Sequence, residues 1–375
     1  MTSDALKTLF HPFEAGTLDV PVTGTRALFL GAEPALRLPS GWDAELRAVQ
    51  GFRPDYLALK HTGIKVSPRA EGDSYDMALV LAGRHRGQNE LRMAEAVERV
   101  KTGGLILGAG RNEDGIASAR KRLDKKNSAY TIAQSTTPLV VVEKAGWTDV
   151  AARDGSYHPP TPPVPLIGHV SKYHGMAFWL ERTPQADAFA GAIKKWYGSW
   201  PLIDGRFHTA PGMFSFDRID PGSRLLAENL PGDLKGAVAD FCAGWGYLSA
   251  ETIARNPGIG SLDLYEADYE SLEAARKNVV ADIPVDFFWH DLLAEPVARR
   301  YDAILMNPPF HTGRAAEPAI GQGMIRAAAA ALKPGGRLFL VANRQLPYER
   351  ILAALFASAQ EIASNRTFKV FAAKR

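Results

Sequence analysis

Short apolar runs alternate with amphipathic stretches in both halves of the chain, and this pattern predicts an α/β fold. In the second half, residues 301–306 form a buried-strand run, a helical segment follows and ends near Leu332, and residues 338–341 form a further apolar run. Residues 261–266 and 285–290 have the same strand character upstream. Strands that alternate with helical segments are typical of βαβ units around a parallel sheet.

The order of these elements occurs twice in the chain. A strand beginning at Tyr75 leads through a helix to a Gly-Gly turn at residues 103–104, and a strand beginning at Tyr301 leads through a helix to a Gly-Gly turn at residues 335–336. We interpret this as a duplication of one α/β domain. Because βαβ units resemble one another in general, two unrelated domains of the same class are the alternative.

A proline-rich segment marks the end of the first copy. Residues 157–165 contain five prolines, which cannot form a helix or a central strand, so we expect a stiff loop or linker there. The apolar run at residues 176–180 predicts a last strand, and the aromatic, Gly-rich residues 196–212 predict a hairpin-like entry to the second copy. The boundary is placed near residue 185. The predicted domains are residues 1–185 and 186–375.

The composition is that of a soluble globular protein, with 46% hydrophobic and 23% charged residues, and a length of 375 favours two domains. A formal net charge of +3 means that any nucleic-acid contact must come from local patches. The single cysteine, Cys242, excludes an intramolecular disulfide and favours a reducing compartment. With no apolar run of membrane-spanning length and no signal pattern, we expect a cytoplasmic protein. The nine histidines show no ligand-like spacing, so we expect no metal.

The sequence Asn307-Pro308-Pro309-Phe310 directly follows the strand run at residues 301–306, where open α/β sheets place their ligands. The prolines stiffen the turn and carry no N–H, so we expect the Asn307 side-chain oxygen and the Pro308 carbonyl to be two fixed acceptors. Phe310 adds a flat apolar surface. This arrangement suits a planar group with an exocyclic NH2, such as a nucleobase or an amide. The alternative is a Pro-Pro turn that only ends a strand.

A second candidate site precedes this motif. A strand ending near Asp240 runs into a turn with Gly244 and Gly246, and glycines let the backbone approach a ligand at a helix N-terminus. The next strand ends in Glu266, whose carboxylate can accept both hydroxyls of a ribose. A third strand ends at Asp291, which can accept from an adenine amino group. Each carboxylate alone has a capping or surface role as its alternative, but together the series predicts a cofactor pocket.

These motifs, with residues 212–220, 341–348 and 366–370, resemble the ribosomal RNA guanine-N2 methyltransferases. This is the family of small-subunit methyltransferase C and large-subunit methyltransferase G, within the class I S-adenosylmethionine-dependent methyltransferases. The resemblance implies two tandem Rossmann-like domains with seven-stranded mixed sheets, of which the first is degenerate and serves RNA binding or structure and the second is catalytic. It implies methyl transfer from S-adenosylmethionine to the N2 of a guanine in ribosomal RNA, with 16S favoured over 23S.

The resemblance also implies roles for the residues of both motifs. Catalysis is expected from Asn307, Pro308 and Phe310, and substrate contacts from Pro309, Phe310 and His311. Cofactor contacts are expected from Asp240, Ala243, Gly244, Gly246, Glu266, Asp291 and Asn307. The expected partner is ribosomal RNA or a ribosomal subunit, with no membrane involved, and the expected state is a monomer.

Two positions depart from the pattern of the family. Glycine is usual where Cys242 stands, and we expect the small thiol side chain to be tolerated. Arginine is usual where Phe216 stands, whereas here the cation is Arg218, two positions later. The contact made by this segment, and with it the exact target base, therefore stays open.

Other functions also remain open on these residues. The same Asn-Pro-Pro turn serves enzymes that methylate adenine N6 or a protein glutamine, although these more often have tyrosine where Phe310 stands. A non-catalytic RNA-binding protein on the same fold is a second alternative. In that case the basic residues 119–126 are a phosphate-contacting patch and not merely a solvated helix face. A nicotinamide-dependent oxidoreductase is not favoured, because the turn after Asp240 lacks the three-glycine spacing.

Overall fold

The computed structural model of the chain describes residues 2–124, 142–144, 147–149, 161–309 and 318–375. The chain divides into two compact units. The units are Met1–Gln50 with Asp55–Trp200, and Gly51–Pro54 with Pro201–Arg375.

The division between the units falls after Trp200, whereas the sequence placed it near residue 185. The helix Pro184–Gly198 accounts for the difference, because its residues Phe189 and Ile193 pack in the apolar cluster of the first unit. Part of the segment expected to be hairpin-like therefore belongs to this helix. An antiparallel bridge between Ile203 and Phe207 follows it.

The first half of the chain folds around a seven-stranded sheet with the strand order β3-β2-β1-β4-β5-β9-β8. Strands β1 to β5 run parallel, and β9 and β8 are antiparallel to their neighbours. Strands β6 and β7 form a separate two-stranded sheet. The elements are α1 Asp4–Glu14, β1 Arg26–Leu30, β2 Glu45–Val49, α2 Arg53–His61, β3 Lys65–Ser67, β4 Tyr75–Leu81, α3 Arg86–Arg99, β5 Val100–Arg111, a 3-10 turn Asn112–Asp114, α4 Ile116–Asp124, β6 Val142–Lys144, β7 Trp147–Asp149, β8 Gly168–Lys172, β9 Gly175–Glu181 and α5 Pro184–Gly198.

The second half repeats this topology with the strand order β12-β11-β10-β13-β14-β16-β15, in which β16 and β15 are the antiparallel strands. The elements are α6 Pro221–Glu228, β10 Lys235–Phe241, α7 Tyr247–Arg255, β11 Gly258–Glu266, α8 Tyr269–Asn278, β12 Val285–Trp289, β13 Tyr301–Met306, α9 Pro318–Ala331, β14 Leu332–Asn343, α10 Glu349–Leu355, β15 Ser358–Ser364 and β16 Phe368–Lys374. Two tandem Rossmann-like domains with seven-stranded mixed sheets are thus confirmed.

A carboxylate at the start of a central strand makes the same contacts in both copies. Asp302 Oδ2 accepts a hydrogen bond from the Ala237 N–H at 2.8 Å and lies 2.7 Å from Lys333 Nζ. In the first copy the corresponding groups are Asp76, the Arg26 N–H at 2.7 Å and Lys101 Nζ at 2.5 Å. Shared details of this kind are not a general property of βαβ units, so they support duplication over the unrelated-domain alternative.

The central strands of the second sheet are buried on both faces. Along β13, Ala303 and Leu305 pack in one apolar cluster, whereas Ile304 and Met306 pack in another on the opposite face. Strands covered by helices on both sides read as continuous apolar runs, which is why the sequence revealed them.

The strand order also fixes where a ligand site can form. Strand β10 lies between β11 and β13. After β10 the chain forms β11 and β12 on one side of it, and then crosses over to form β13 on the other side. Such a switch point opens a crevice at the carboxyl ends of the strands. Among the described residues, no helix has the length and hydropathy needed to cross a bilayer.

Replacing Asp302 by alanine should lower the free energy of unfolding by about 1 kcal/mol, because the Ala237 N–H loses its acceptor and Lys333 its partner. The same change at Asp76 should have a similar effect. Urea denaturation measures both. Asp233→Ala is the control, because its ion pair with Arg337 is solvent-exposed and should contribute little. Equal losses in Asp233→Ala and Asp302→Ala would contradict the role given to the carboxylate.

Candidate functional site

The turn after β10 has a backbone that favours glycine at three positions. Cys242, Gly244 and Gly246 have φ values of 62°, 54° and 91°. A Cβ at Gly246 would lie 2.7 Å from Val279 Cγ2, so a side chain there is excluded. A Cβ at Gly244 would have no heavy atom within 4 Å, so the backbone at Gly244 borders open space. Gly246 precedes the first turn of α7, whose N–H groups face the same edge of the sheet.

Cys242 adopts the left-handed conformation that glycine would take without strain. Its Sγ lies 3.4 Å from Met324 Sδ on α9, and burial raises the pKa of the thiol well above its usual value. The small side chain is accommodated, and its contact with α9 offsets part of the backbone strain.

Glu266 closes the turn against the end of β11. Its Oε2 accepts from the Gly244 N–H at 2.7 Å, and its Oε1 accepts from the Asp268 N–H at 2.8 Å. Burial raises the pKa of the Glu266 carboxyl to about 7, and the nearby Asp268 charge adds to this, while the N–H groups act in the opposite direction. Each oxygen keeps a further lone pair, which is what a ribose diol requires.

A pocket beside the turn is lined by residues that include Ala243, Gly244 and Trp245, and neither Glu266 nor the buried Asp240 is among the lining residues. Asp240 is fully buried, and its Oδ2 accepts from Ser249 Oγ at 2.7 Å on α7. Burial raises the pKa of Asp240 to about 7. This hydrogen bond joins Asp240 on β10 to Ser249 on α7 and so stabilises the packing of the helix on the strand.

Asp291, at the end of β12, is buried and folds back on its own loop. Its Oδ1 accepts from the N–H groups of Leu293 and Ala294 at 2.9 and 3.3 Å. These hydrogen bonds cap the loop, and the expected contact of Asp291 with an adenine amino group stays a prediction. Asp291 likewise does not line the pocket around Gly244.

Asn307, directly after β13, lines that pocket together with Ala243 and Gly244. Its side-chain Nδ2 donates to Asp220 Oδ2 at 3.0 Å and to Ser223 Oγ at 2.7 Å. Its Oδ1 is buried and has no hydrogen-bond donor among the described residues. An unsatisfied buried acceptor costs about 1–3 kcal/mol, so native proteins normally supply a partner.

The rest of the motif is described only in part. Pro308 is buried and Pro309 is exposed. Phe310 and His311 lie outside the described residues, so their expected substrate contacts stay predictions.

Asp220 and Ser223, which hold the Asn307 amide, were not predicted as site residues. The available signal was local: an Asp-Pro pair that starts a helix, here α6 with Asp220 as its N-cap and Pro221 in its first turn. Phe214 also lines the pocket, and its carbonyl accepts from Trp245 Nε1 at 2.9 Å. Arg218 is exposed and does not line the pocket.

In the first copy, different side chains lie at the strand ends that correspond to Glu266 and Asn307. Gln50, at the end of β2, donates from Nε2 to the Ala32 carbonyl at 2.7 Å, where Glu266 in the second copy accepts from the turn. Arg92 donates from Nη1 to the Leu81 carbonyl at 3.1 Å and lies 2.6 Å from where a Cβ on Gly31 would be. The strand ends of the first copy thus carry side-chain contacts that differ from those of Glu266 and Asn307 in the second copy.

The Asp240 carboxyl makes the stability of the chain depend on pH. The pKa of this carboxyl is higher in the folded state than in the unfolded state. Its contribution to the free energy of unfolding is therefore complete below about pH 4 and is lost as the pH rises to about 7. Over this range the free energy of unfolding of the wild-type protein should fall with pH. In Asp240→Asn this fall should be smaller by about 1.4 kcal/mol per pH unit, which is the value for one proton. Urea unfolding between about pH 4 and about pH 7 measures the slope. Parallel curves for the two proteins would contradict the buried, protonated carboxyl.

Comparisons with known proteins agree with this architecture. A model of the methyltransferase small domain family matches residues 204–372. Ribosomal RNA small subunit methyltransferase C of Klebsiella pneumoniae subsp. pneumoniae is 36% identical over 200 residues, which are 53% of this chain and 56% of the relative. The Enterobacter sp. (strain 638) protein of the same name is 35% identical over the same shares. The match thus spans little more than half the length of these curated relatives.

A solved structure shows the likeness over the whole chain. It is described as the T. thermophilus 16S rRNA N2 G1207 methyltransferase in complex with AdoMet and guanosine. The TM-score is 0.70 at 23% identity, covering 100% of this chain and 92% of that one, which supports the shared fold of both halves. Residues 204–372 therefore resemble the methyltransferase small domain, the second half is similar to small-subunit methyltransferase C, and both halves share the fold of the solved structure.

Proposed function

We propose that the chain methylates the exocyclic N2 of a guanine in ribosomal RNA, with the 16S molecule as the preferred substrate. The names of the curated relatives and of the solved T. thermophilus structure support this substrate. The observation in this chain that carries the proposal is the buried Oδ1 of Asn307, which lacks a donor among the described residues. A guanine amino group would supply that donor.

The glycine turn and the end of β11 fit the nucleoside part of the methyl donor. The open space beside Gly244 admits a ligand close to the backbone, and Glu266 offers acceptors for the ribose hydroxyls. Ala243 and Gly246 hold the turn, and Asp240 supports it from beneath. S-adenosylmethionine supplies a methyl group that its sulfonium charge already makes electrophilic.

The task of the protein residues is to prepare the acceptor nitrogen, whose lone pair is delocalised into the guanine ring. Hydrogen bonds from the amino group to Asn307 Oδ1 and the Pro308 carbonyl favour a pyramidal nitrogen with its lone pair aimed at the methyl. Alignment of this kind contributes up to roughly 7–11 kcal/mol to catalysis. The new N–C bond forms as the S–C bond breaks, and the nitrogen then releases its proton to solvent without a dedicated base. Phe310 and His311 are proposed to contact the base.

Access to guanine N2 requires the base to leave its stack, at a cost of about a few kcal/mol. We propose that the first domain helps hold the RNA or serves as a scaffold. Part of its basic stretch is turned inward, because Arg122 lies 3.5 Å from Glu90, which also accepts from the Tyr197 hydroxyl. The proposal includes action in the cytoplasm, as a monomer and without a metal, on ribosomal RNA or a ribosomal subunit.

Ribosomal RNA from cells that lack the protein should have lost one 2-methylguanosine in 16S rRNA, as measured by mass-spectrometric nucleoside analysis. The wild-type protein should restore it, whereas Asn307→Ala should not. In vitro, Asn307→Ala should lower kcat at least about 100-fold, because both alignment and the acceptor are lost. Its affinity for S-adenosylhomocysteine should stay near that of wild type. Loss of 6-methyladenosine in place of 2-methylguanosine would favour the adenine-N6 alternative.

Glu266→Ala should weaken the binding of S-adenosylhomocysteine by about tenfold or more, because two ribose hydroxyls lose their acceptor and the Gly244 N–H loses its partner. Isothermal titration calorimetry measures this affinity. Glu251→Ala is a matched control on the outer face of α7, where the carboxylate pairs with Arg206. An unchanged affinity in Glu266→Ala would remove Glu266 from the cofactor site.

A further inference from the structure

We propose that Asp220 fixes the orientation of the Asn307 amide and so makes the site select a base that carries an amino group over one that lacks it; Ser223 supplies a second acceptor that fits either orientation. Asp220 is a positioning residue in this proposal, because it acts through Asn307. The inference rests on the proposed function, since it concerns how the same pocket recognises guanine.

Both hydrogens of the Asn307 amide point at acceptors from the start of α6. Asp220 Oδ2 lies 3.0 Å from Asn307 Nδ2 and also accepts from the Ser223 N–H at 2.7 Å. Ser223 Oγ lies 2.7 Å from the same Nδ2. With its nitrogen held in this way, Asn307 leaves only Oδ1 for a ligand, and this oxygen is buried without a donor among the described residues.

The Asp220 carboxylate decides which way the amide faces. A carboxylate accepts hydrogen bonds and does not donate them, whereas a hydroxyl such as that of Ser223 does both. A flipped amide would bring Asn307 Oδ1 to about the present 3.0 Å from Asp220 Oδ2, where two acceptors repel each other. The flip would also present an NH2 group to the target amine. Only the observed orientation is compatible with both neighbours.

The backbone of α6 keeps the carboxylate in place. Asp220 is the N-cap of this helix, and Ser223 is buried in its first turn. Between them, a Cβ on Gly222 would lie 3.0 Å from Asp220 Oδ2 and 3.0 Å from Phe368 Cε1. Gly222 thus allows the capping carboxylate to face Asn307.

This geometry has a consequence for base recognition. Guanine presents an amino group at C2, and hypoxanthine is the same ring system without that group. Wild-type protein in complex with S-adenosylhomocysteine should therefore bind guanosine about tenfold or more tightly than inosine, the gain from one or two satisfied hydrogen bonds. Asp220→Asn should reduce this preference to about threefold or less, because an amide at position 220 can pair with either orientation of Asn307.

The experiment is a calorimetric titration of the S-adenosylhomocysteine complexes with guanosine and with inosine. Asp220→Asn keeps a good N-cap, so the helix should be retained. Ser223→Ala removes one acceptor but leaves the carboxylate, so it should preserve the guanosine preference. Asp187→Asn is the control, because Asp187 lies in the first turn of α5 in the first unit, pairs with Arg182 at 2.8 Å and does not touch Asn307.

The outcomes separate the two levels of the proposal. If wild-type protein binds the two nucleosides equally, the amine-acceptor assignment of the proposed function fails. If wild type prefers guanosine and Asp220→Asn keeps the full preference, the orienting role of Asp220 is overturned while the function stands. Equal loss of the preference in Asp220→Asn and Ser223→Ala, or in Asp220→Asn and Asp187→Asn, would overturn it as well.

Discussion

The hydrogen bonds between Asn307 and the start of α6 are the constraint on which the site depends. They join a strand-end residue to a helix cap separated from it by 87 positions along the chain. Asp220 and Ser223 hold the nitrogen of the amide, so its oxygen is the group left for a ligand. The stiff Pro-Pro turn fixes the backbone, and α6 fixes the amide. Neither feature alone would give two acceptors with a defined direction.

The two copies show that this constraint is separate from the fold. Both sheets have the same strand order, and both keep the carboxylate contact at the start of the fourth strand, with Asp76 in one copy and Asp302 in the other. At the strand ends the copies differ, because Gln50 and Arg92 of the first copy donate to the Ala32 and Leu81 carbonyls. The packing of the sheet is thus shared while the groups at the strand ends are not.

The sequence was sufficient for the fold and for the residues of the two turns, because those features are local. Buried parallel strands are continuous apolar runs, and glycines such as Gly246 are required by the backbone conformation itself. Contacts between distant segments were not accessible in this way. The role of Asp220 depends on where α6 begins relative to β13. The hydrogen bonds of Asp240 to α7 and of Asp291 to its own loop likewise follow from the fold, because no spacing in the sequence specifies them.

The side chain of Cys242 connects the turn after β10 with the helix α9. Its left-handed backbone raises the energy of the turn by roughly 1–2 kcal/mol, a strain that glycine would remove. Its sulfur, however, rests on Met324 of α9, the helix that follows the Asn-Pro-Pro loop in the chain. The turn and the helix are thus in direct contact through this pair of sulfur atoms. A glycine at this position would relax the turn but remove the contact that joins it to α9.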